Sequence, residues 1–125
     1  MTHPTLVIAD DEEAICFALG RAARRQGLVP LVAPDGQQAV VLAATAGESL
    51  VAAVLDIRMP GLSGIAAGLA IRGIRPAVPL ALMTAFTDPP LLDRLAPDRL
   101  FRKPFDLGAF IDWLAGLRTI PAGAA

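Results

Sequence analysis

The residue types able to do chemistry in this chain gather at the ends of its apolar runs. Asp56 closes the Val- and Leu-rich run that begins at Leu50, and a Met59-Pro60-Gly61 turn follows at once. Asp10 and Asp11 close an earlier run, Thr5-Leu6-Val7-Ile8-Ala9, and Lys103 closes a later one, Arg99-Leu100-Phe101-Arg102, with Pro104 directly after it. Thr84 ends another, Leu80-Ala81-Leu82-Met83. Runs this apolar read as strands buried on both faces. Open α/β sheets bind their ligands outside the carboxyl ends of such strands. Carboxylates, an ammonium and a hydroxyl at that edge could hold a cation and an anion side by side.

The segments between these runs supply the helices that must position them. Residues 12–26 read as a helix with Ile15, Ala18, Leu19 and Ala22 inward and Arg21, Arg24 and Arg25 outward. The arginines suit the negative end of the helix dipole, and Gly27 suits a C-terminal cap. A second strand over residues 28–32 precedes a Pro34-Asp35-Gly36 turn and a helix over 37–45 that ends at Gly47. Ser63 can cap a third helix reaching about residue 72. Residues 91–95 allow only a short fourth helix, since Pro89-Pro90 and Pro97 interrupt the segment. Asp106 caps the last helix, whose stripe is Leu107, Phe110, Ile111, Leu114 and Leu117. Strands alternating with helices imply a parallel five-stranded sheet covered on both faces and joined by right-handed crossovers. The expected fold is thus an α/β, flavodoxin-like (βα)5 three-layer sandwich of strand order 2-1-3-4-5, with a shortened or irregular fourth helix. One domain should occupy residues 1–120, with 121–125 a frayed tail.

In that order strands one and three are neighbours, so Asp10, Asp11 and Asp56 converge. At an effective dielectric of ~20, carboxylates about 5 Å apart repel by roughly 3 kcal/mol per pair, on the order of 10 kcal/mol for three pairs. Lys103 alone cannot balance them. Either some carboxylates stay protonated or a divalent cation binds, and an all-oxygen site with few protein ligands favours Mg²⁺.

The set Asp10-Asp11, Asp56 with Met59-Pro60-Gly61 and Gly64, Thr84-Ala85, and Lys103-Pro104-Phe105 resembles the receiver domain of bacterial two-component response regulators. The resemblance covers essentially the whole chain. It implies that Asp56 accepts a phosphoryl group from a phosphohistidine, a known role for carboxylate nucleophiles. It also implies Mg²⁺ held by Asp11 and Asp56 directly, by Asp10 through water and by the Arg58 backbone carbonyl. Lys103, the Thr84 hydroxyl and the Ala85 backbone N–H would take the phosphoryl oxygens, and Lys103-Pro104 would be cis. The implied partners are a sensor histidine kinase or histidine phosphotransfer protein and a downstream effector, and a phosphorylation-dependent homodimer is compatible with the family. Such a switch catalyses only its own aspartyl phosphorylation and dephosphorylation.

Departures from the family pattern bear on the output. An aromatic residue usually stands three places before the lysine; here it is Leu100, and the adjacent Phe101 should face the core instead. The interval from Thr84 to Lys103 is also short. A phosphorylation-independent interaction module on the same scaffold is therefore the alternative. An aspartyl-phosphate hydrolase of the haloacid dehalogenase type would need an acid two residues after the nucleophile, where Arg58 stands and cannot give up its proton. Arg58 and Phe86 are expected to border the phosphoryl group and slow its hydrolysis.

At 125 residues and a formal net charge of −1, the chain is long enough to bury a core and carries no basic nucleic-acid footprint. No apolar run approaches the roughly 18 residues of a membrane span. A single cysteine, Cys16, excludes an internal disulfide, fits a reducing compartment and could face solvent or a partner. His3 is read as idle and Trp113 as edge-of-core. A soluble cytoplasmic domain is expected. Both a stand-alone receiver and part of a larger regulator or hybrid kinase remain open, with Met1 leaning toward a natural start.

Overall fold

A computed structural model describes residues 3–85 and 95–118. Its sheet has five parallel strands, β1 (Thr5–Ala9), β2 (Val29–Ala33), β3 (Leu50–Asp56), β4 (Leu80–Thr84) and β5 (Arg99–Arg102), in the order β2-β1-β3-β4-β5. The α-helices spanning described residues are α1 (Glu13–Arg25), α2 (Gly36–Ala46), α3 (Gly64–Ile74) and α4 (Leu107–Arg118), and a 3-10 turn, Gly47–Ser49, follows α2. The expected fold class and strand order are those observed. Apart from Leu95, the short helix expected over residues 91–95 lies outside the described residues, as do Phe86 and the tail 121–125.

Strand alternation divides the core in two. Leu6 and Ile8 of β1 and Ala52 and Val54 of β3 point toward α1 and α4, where Leu19, Phe110 and Leu114 meet them. Val7, Ala9, Ala53 and Leu55 point toward α2 and α3, where Ala39, Ala67 and Ile71 meet them. Full burial of each Leu or Ile contributes about 1.5–3 kcal/mol, several times the ~0.2–1 kcal/mol of an exposed ion pair. The sheet, not its polar edge, therefore carries the fold. The register slips once: Thr5 pairs with Leu50 but Leu6 with Ala52, so Val51 is an extra residue in β3.

The helix ends use local signals in the sequence. Asp35 and Ser63 accept hydrogen bonds from the Gln38 and Ala66 N–H groups at 2.8 and 3.2 Å. The Asp106 carboxylate accepts one from the Ala109 N–H at 3.1 Å. Gly27 has φ +80°, and the N–H groups of Gly27 and Leu28 donate to the Arg24 and Ala23 carbonyls, each at 3.0 Å. That is a Schellman ending. It draws Leu28 into the cap, so β2 starts at Val29 and ends at Ala33, one residue later than the expected 28–32.

Two other expectations need correction. Leu107 is 41 % exposed rather than part of the buried stripe, because it sits in the first turn, level with Phe17 and Ile111 at the rim of a hollow between α1 and α4. Cys16 does not face solvent: it is buried against the sheet, with its Sγ–H donating to the Asp10 carbonyl at 3.3 Å. Burial pushes its thiol up to about 11, with the Asp10 carboxylate adding to the rise, so the group stays unreactive. Phe101 is core, as expected, and Trp113 is half-buried with its ring 6.1 Å from that of Phe101. On the exposed edge strand β2, the inward ladder positions are Val29, Leu31 and Ala33, which leaves Pro30 facing outward where an N–H would invite another strand.

Candidate functional site

Strand parity brings the ionisable residues together. Asp10, Asp56 and Lys103 each lie two residues beyond a side chain on the α1–α4 side of the sheet, namely Ile8, Val54 and Phe101. The ladder continues just past the strands and holds the backbone there. The Asp10 N–H donates to the Ala33 carbonyl at 3.1 Å, and the Lys103 N–H donates to the Thr84 carbonyl at 2.8 Å. The Lys103-Pro104 peptide is cis. Beyond β3 the Ile57 N–H donates to the Met83 carbonyl at 2.9 Å, and the Gly64 N–H to the Ile57 carbonyl at 3.0 Å. The start of α3 is thereby pressed onto the end of β3. A Cβ on Gly64 would lie 2.1 Å from the Asp56 carbonyl oxygen, so only glycine fits.

The Lys103 ammonium donates to Asp10 Oδ2 at 3.0 Å, to Asp56 Oδ2 at 3.1 Å and to Glu12 Oε1 at 3.1 Å. Asp10 and Asp56 are buried, Lys103 is largely so, and Glu12 is exposed. The remaining Asp10 oxygen accepts from the Glu12 N–H at 2.9 Å, and Asp56 Oδ1 accepts from the Arg58 N–H at 3.3 Å. Burial, and then the neighbouring Asp10 charge, push the Asp56 carboxyl up to about 6, although Lys103 and the Arg58 N–H pull it down. The three carboxylates push the Lys103 ammonium well above the ordinary lysine range against the opposing effect of burial.

One oxygen from each of Asp10, Asp11 and Asp56 lies within 4.8 Å of the others. Above them opens a hollow of about 230 Å³ lined by Asp11, Glu12, Asp56, Arg58, Thr84, Ala85 and Lys103. It far exceeds the roughly 30 Å³ of one water, so a small anion and its counter-ion fit together. A larger hollow of about 440 Å³ runs between α1 and β2, but its walls include Phe17, Pro30, Val32 and Pro34 and it lacks Asp56, Thr84 and Lys103. The described residues that the sequence marks as candidates therefore gather in one place: Asp11, Asp56, Arg58, Thr84, Ala85 and Lys103 line the mouth, and Asp10 joins them through its bond to Lys103. Leu100 faces away and packs on the α2–α3 side. Sequence reasoning missed Glu12. An exposed acid at a helix start reads as a dipole partner, and only the place of β5 in the sheet brings Lys103 to it.

The sequence family described as response regulator receiver domain matches residues 6–113. The chain belongs to that family. It is 36 % identical over 81 residues to the DNA-binding transcriptional regulator NtrC of Salmonella typhimurium, a match spanning 65 % of this chain and 17 % of NtrC. It is 30 % identical over 116 residues to the transcriptional regulatory protein PrrA of Mycobacterium bovis, spanning 89 % of this chain and 48 % of PrrA. The chain thus spans less than half the length of either relative. Among solved structures it resembles the Francisella response regulator 1452 receiver domain, with a TM-score of 0.78 and 25 % identity over 91 % of this chain and 95 % of that one. No helix among the described residues is long and apolar enough to cross a membrane.

Proposed function

We propose that this domain is the phosphoacceptor of a two-component phosphorelay, in which Asp56 takes a phosphoryl group from a phosphohistidine and the modified domain changes its partners. The observation that carries this reading is the convergence of Asp10 and Asp56 on Lys103, with Asp56, Lys103, Thr84 and Ala85 lining one open mouth. Phosphoryl transfer asks little of a protein beyond in-line placement and cancelled charge. Asp56 is anchored at a strand end, with Oδ1 held by the Arg58 N–H and Oδ2 by Lys103, and it lines the hollow. Lys103 brings one positive charge to meet a phosphoryl oxygen. The Thr84 hydroxyl and Ala85 N–H are the neutral donors within the same wall.

The all-oxygen trio also fits a hard cation, since its negative charge exceeds what Lys103 supplies. Asp10, Asp11, Asp56 and the Arg58 carbonyl would hold Mg²⁺. When bound, it would neutralise charge on the carboxylates and on a phosphoryl oxygen. The remaining work belongs to the chain. Lys103 would hold the second oxygen, burial at the strand ends fixes Asp10 and Asp56, and Arg58 borders the entrance. The partners on this reading are a sensor histidine kinase or phosphotransfer protein and an effector, in the cytoplasm.

Incubation with Mg²⁺ and acetyl phosphate, followed by intact mass, tests the reading: one phosphoryl group is expected on the native chain and none on Asp56→Ala. Leu100, packed into the α2–α3 core where the family usually has an aromatic switch, favours the second reading, an interaction module that works without phosphorylation. An unmodified native chain would establish that alternative.

A further inference from the structure

An ammonium has three N–H donors, and in Lys103 all three are engaged, by Asp10, Asp56 and Glu12. To meet an incoming anion the lysine must therefore surrender one acceptor. Asp10 and Asp56 are held at buried strand ends, with side chains 0 % and 7 % exposed, whereas the Glu12 side chain is 60 % exposed. A carboxylate in water is rehydrated on release, while a buried one is left unpaired, so Glu12 is the cheapest partner to lose. Glu12 also stands at the N-cap of α1 without capping it: no side-chain hydrogen bond to the helix is made, and the carboxylate instead crosses the mouth to the lysine.

We propose that Glu12 is a releasable latch on Lys103, a positioning residue whose carboxylate occupies the place of an anionic oxygen and yields the ammonium when a phosphoryl group arrives. This rests on the phosphoacceptor reading above and adds a residue that the family motif does not include. In transfer from acetyl phosphate, a bond forms between an Asp56 oxygen and phosphorus while the bond from phosphorus to acetate breaks, and acetate leaves with the electron pair. No proton moves. Lys103 neutralises charge on a phosphoryl oxygen during that exchange, and its readiness to do so depends on how firmly Glu12 holds it.

The test compares the rate of Asp56 phosphorylation by acetyl phosphate, with Mg²⁺ at fixed ionic strength, in the native chain, Glu12→Gln and Glu13→Gln. Glu13 is exposed and outside the mouth, so its variant removes the same charge without touching the latch. Glu12→Gln is expected to react about 2- to 5-fold faster, the scale of a solvent-exposed ion pair, and Glu13→Gln to match the native rate. A second readout is solvent exchange of the Lys103 ammonium protons by NMR before any donor is added. It should quicken in Glu12→Gln alone. An equal or slower rate in Glu12→Gln, an equal gain in Glu13→Gln, or unchanged lysine exchange would each overturn the latch while leaving Asp56 as phosphoacceptor. A native chain that takes no phosphoryl group would overturn the phosphoacceptor reading, and the latch with it.

Discussion

Burial, and then the Asp10 charge, outweigh the pull of Lys103 on the Asp56 carboxyl, and the consequences are readable in pH. Because the Asp56 carboxyl rises from an ordinary 3.8 to about 6, the folded chain binds a proton there more tightly than the unfolded chain does. The contribution of this group to stability is therefore full below about pH 4 and is lost as pH rises through about 6. Removing the lysine exaggerates this. Lys103→Met leaves Asp10 and Asp56 buried without their cation, at an expected cost of about 3 kcal/mol at pH 7.5. Below about pH 6 Asp56 can take a proton instead, so the cost should shrink by pH 5. Urea titrations of the two proteins at both pH values check this. A deficit that is the same at each pH would mean that the lysine stabilises by packing its stem rather than by its charge.

At the scale of elements, the site depends on how closely α3 sits on the end of β3. Gly64 leaves no room for a methyl group against the Asp56 backbone, and backbone cannot step aside as a flexible side chain can. Gly64→Ala is expected to lose about 1–3 kcal/mol and to slow phosphorylation of Asp56. Gly73→Ala, in the same helix with open space around it, should do neither. Chemical denaturation and the acetyl phosphate reaction measure the two effects separately. Much of this level was legible in the sequence, since Asp35, Ser63, Asp106 and Gly27 mark helix ends through bonds made within a few residues. The misses have physical reasons. Leu28 looks like strand but is consumed by the helix cap. Leu107 has the spacing of the apolar stripe but lies in a first turn that overhangs the α1–α4 rim. Cys16 is turned inward by a contact with the Asp10 carbonyl that no local pattern announces. The convergence of Asp10, Asp56 and Lys103 followed from strand ends and strand order, while Glu12 needed the actual reach of the lysine across the sheet.

At the scale of the whole molecule, the site gathers charge from the ends of strands β1, β3 and β5, so whatever neutralises it ties these three strand ends together. A cation that binds only the folded chain must stabilise it by mass action. At ten times its Kd, Mg²⁺ should add about 1.4 kcal/mol and lift Tm by roughly 5 °C for a domain of this size. The unfolded chain offers no comparable cluster, because Asp56 is far in sequence from the adjacent Asp10 and Asp11 and is joined to them only by the β1–β3 pairing. The shift should be reversed by a chelator and reduced in Asp11→Asn, whose carboxylate is exposed and makes no bond to Lys103. Protons and cation compete for Asp56, so the gain should fade as pH falls through about 6. Thermal melts with and without Mg²⁺ at pH 5 and pH 7.5 separate these effects. A Tm indifferent to Mg²⁺ at pH 7.5 would mean that Lys103 and protonation alone settle the acidic cluster, and that charge for phosphoryl transfer must come from the partner.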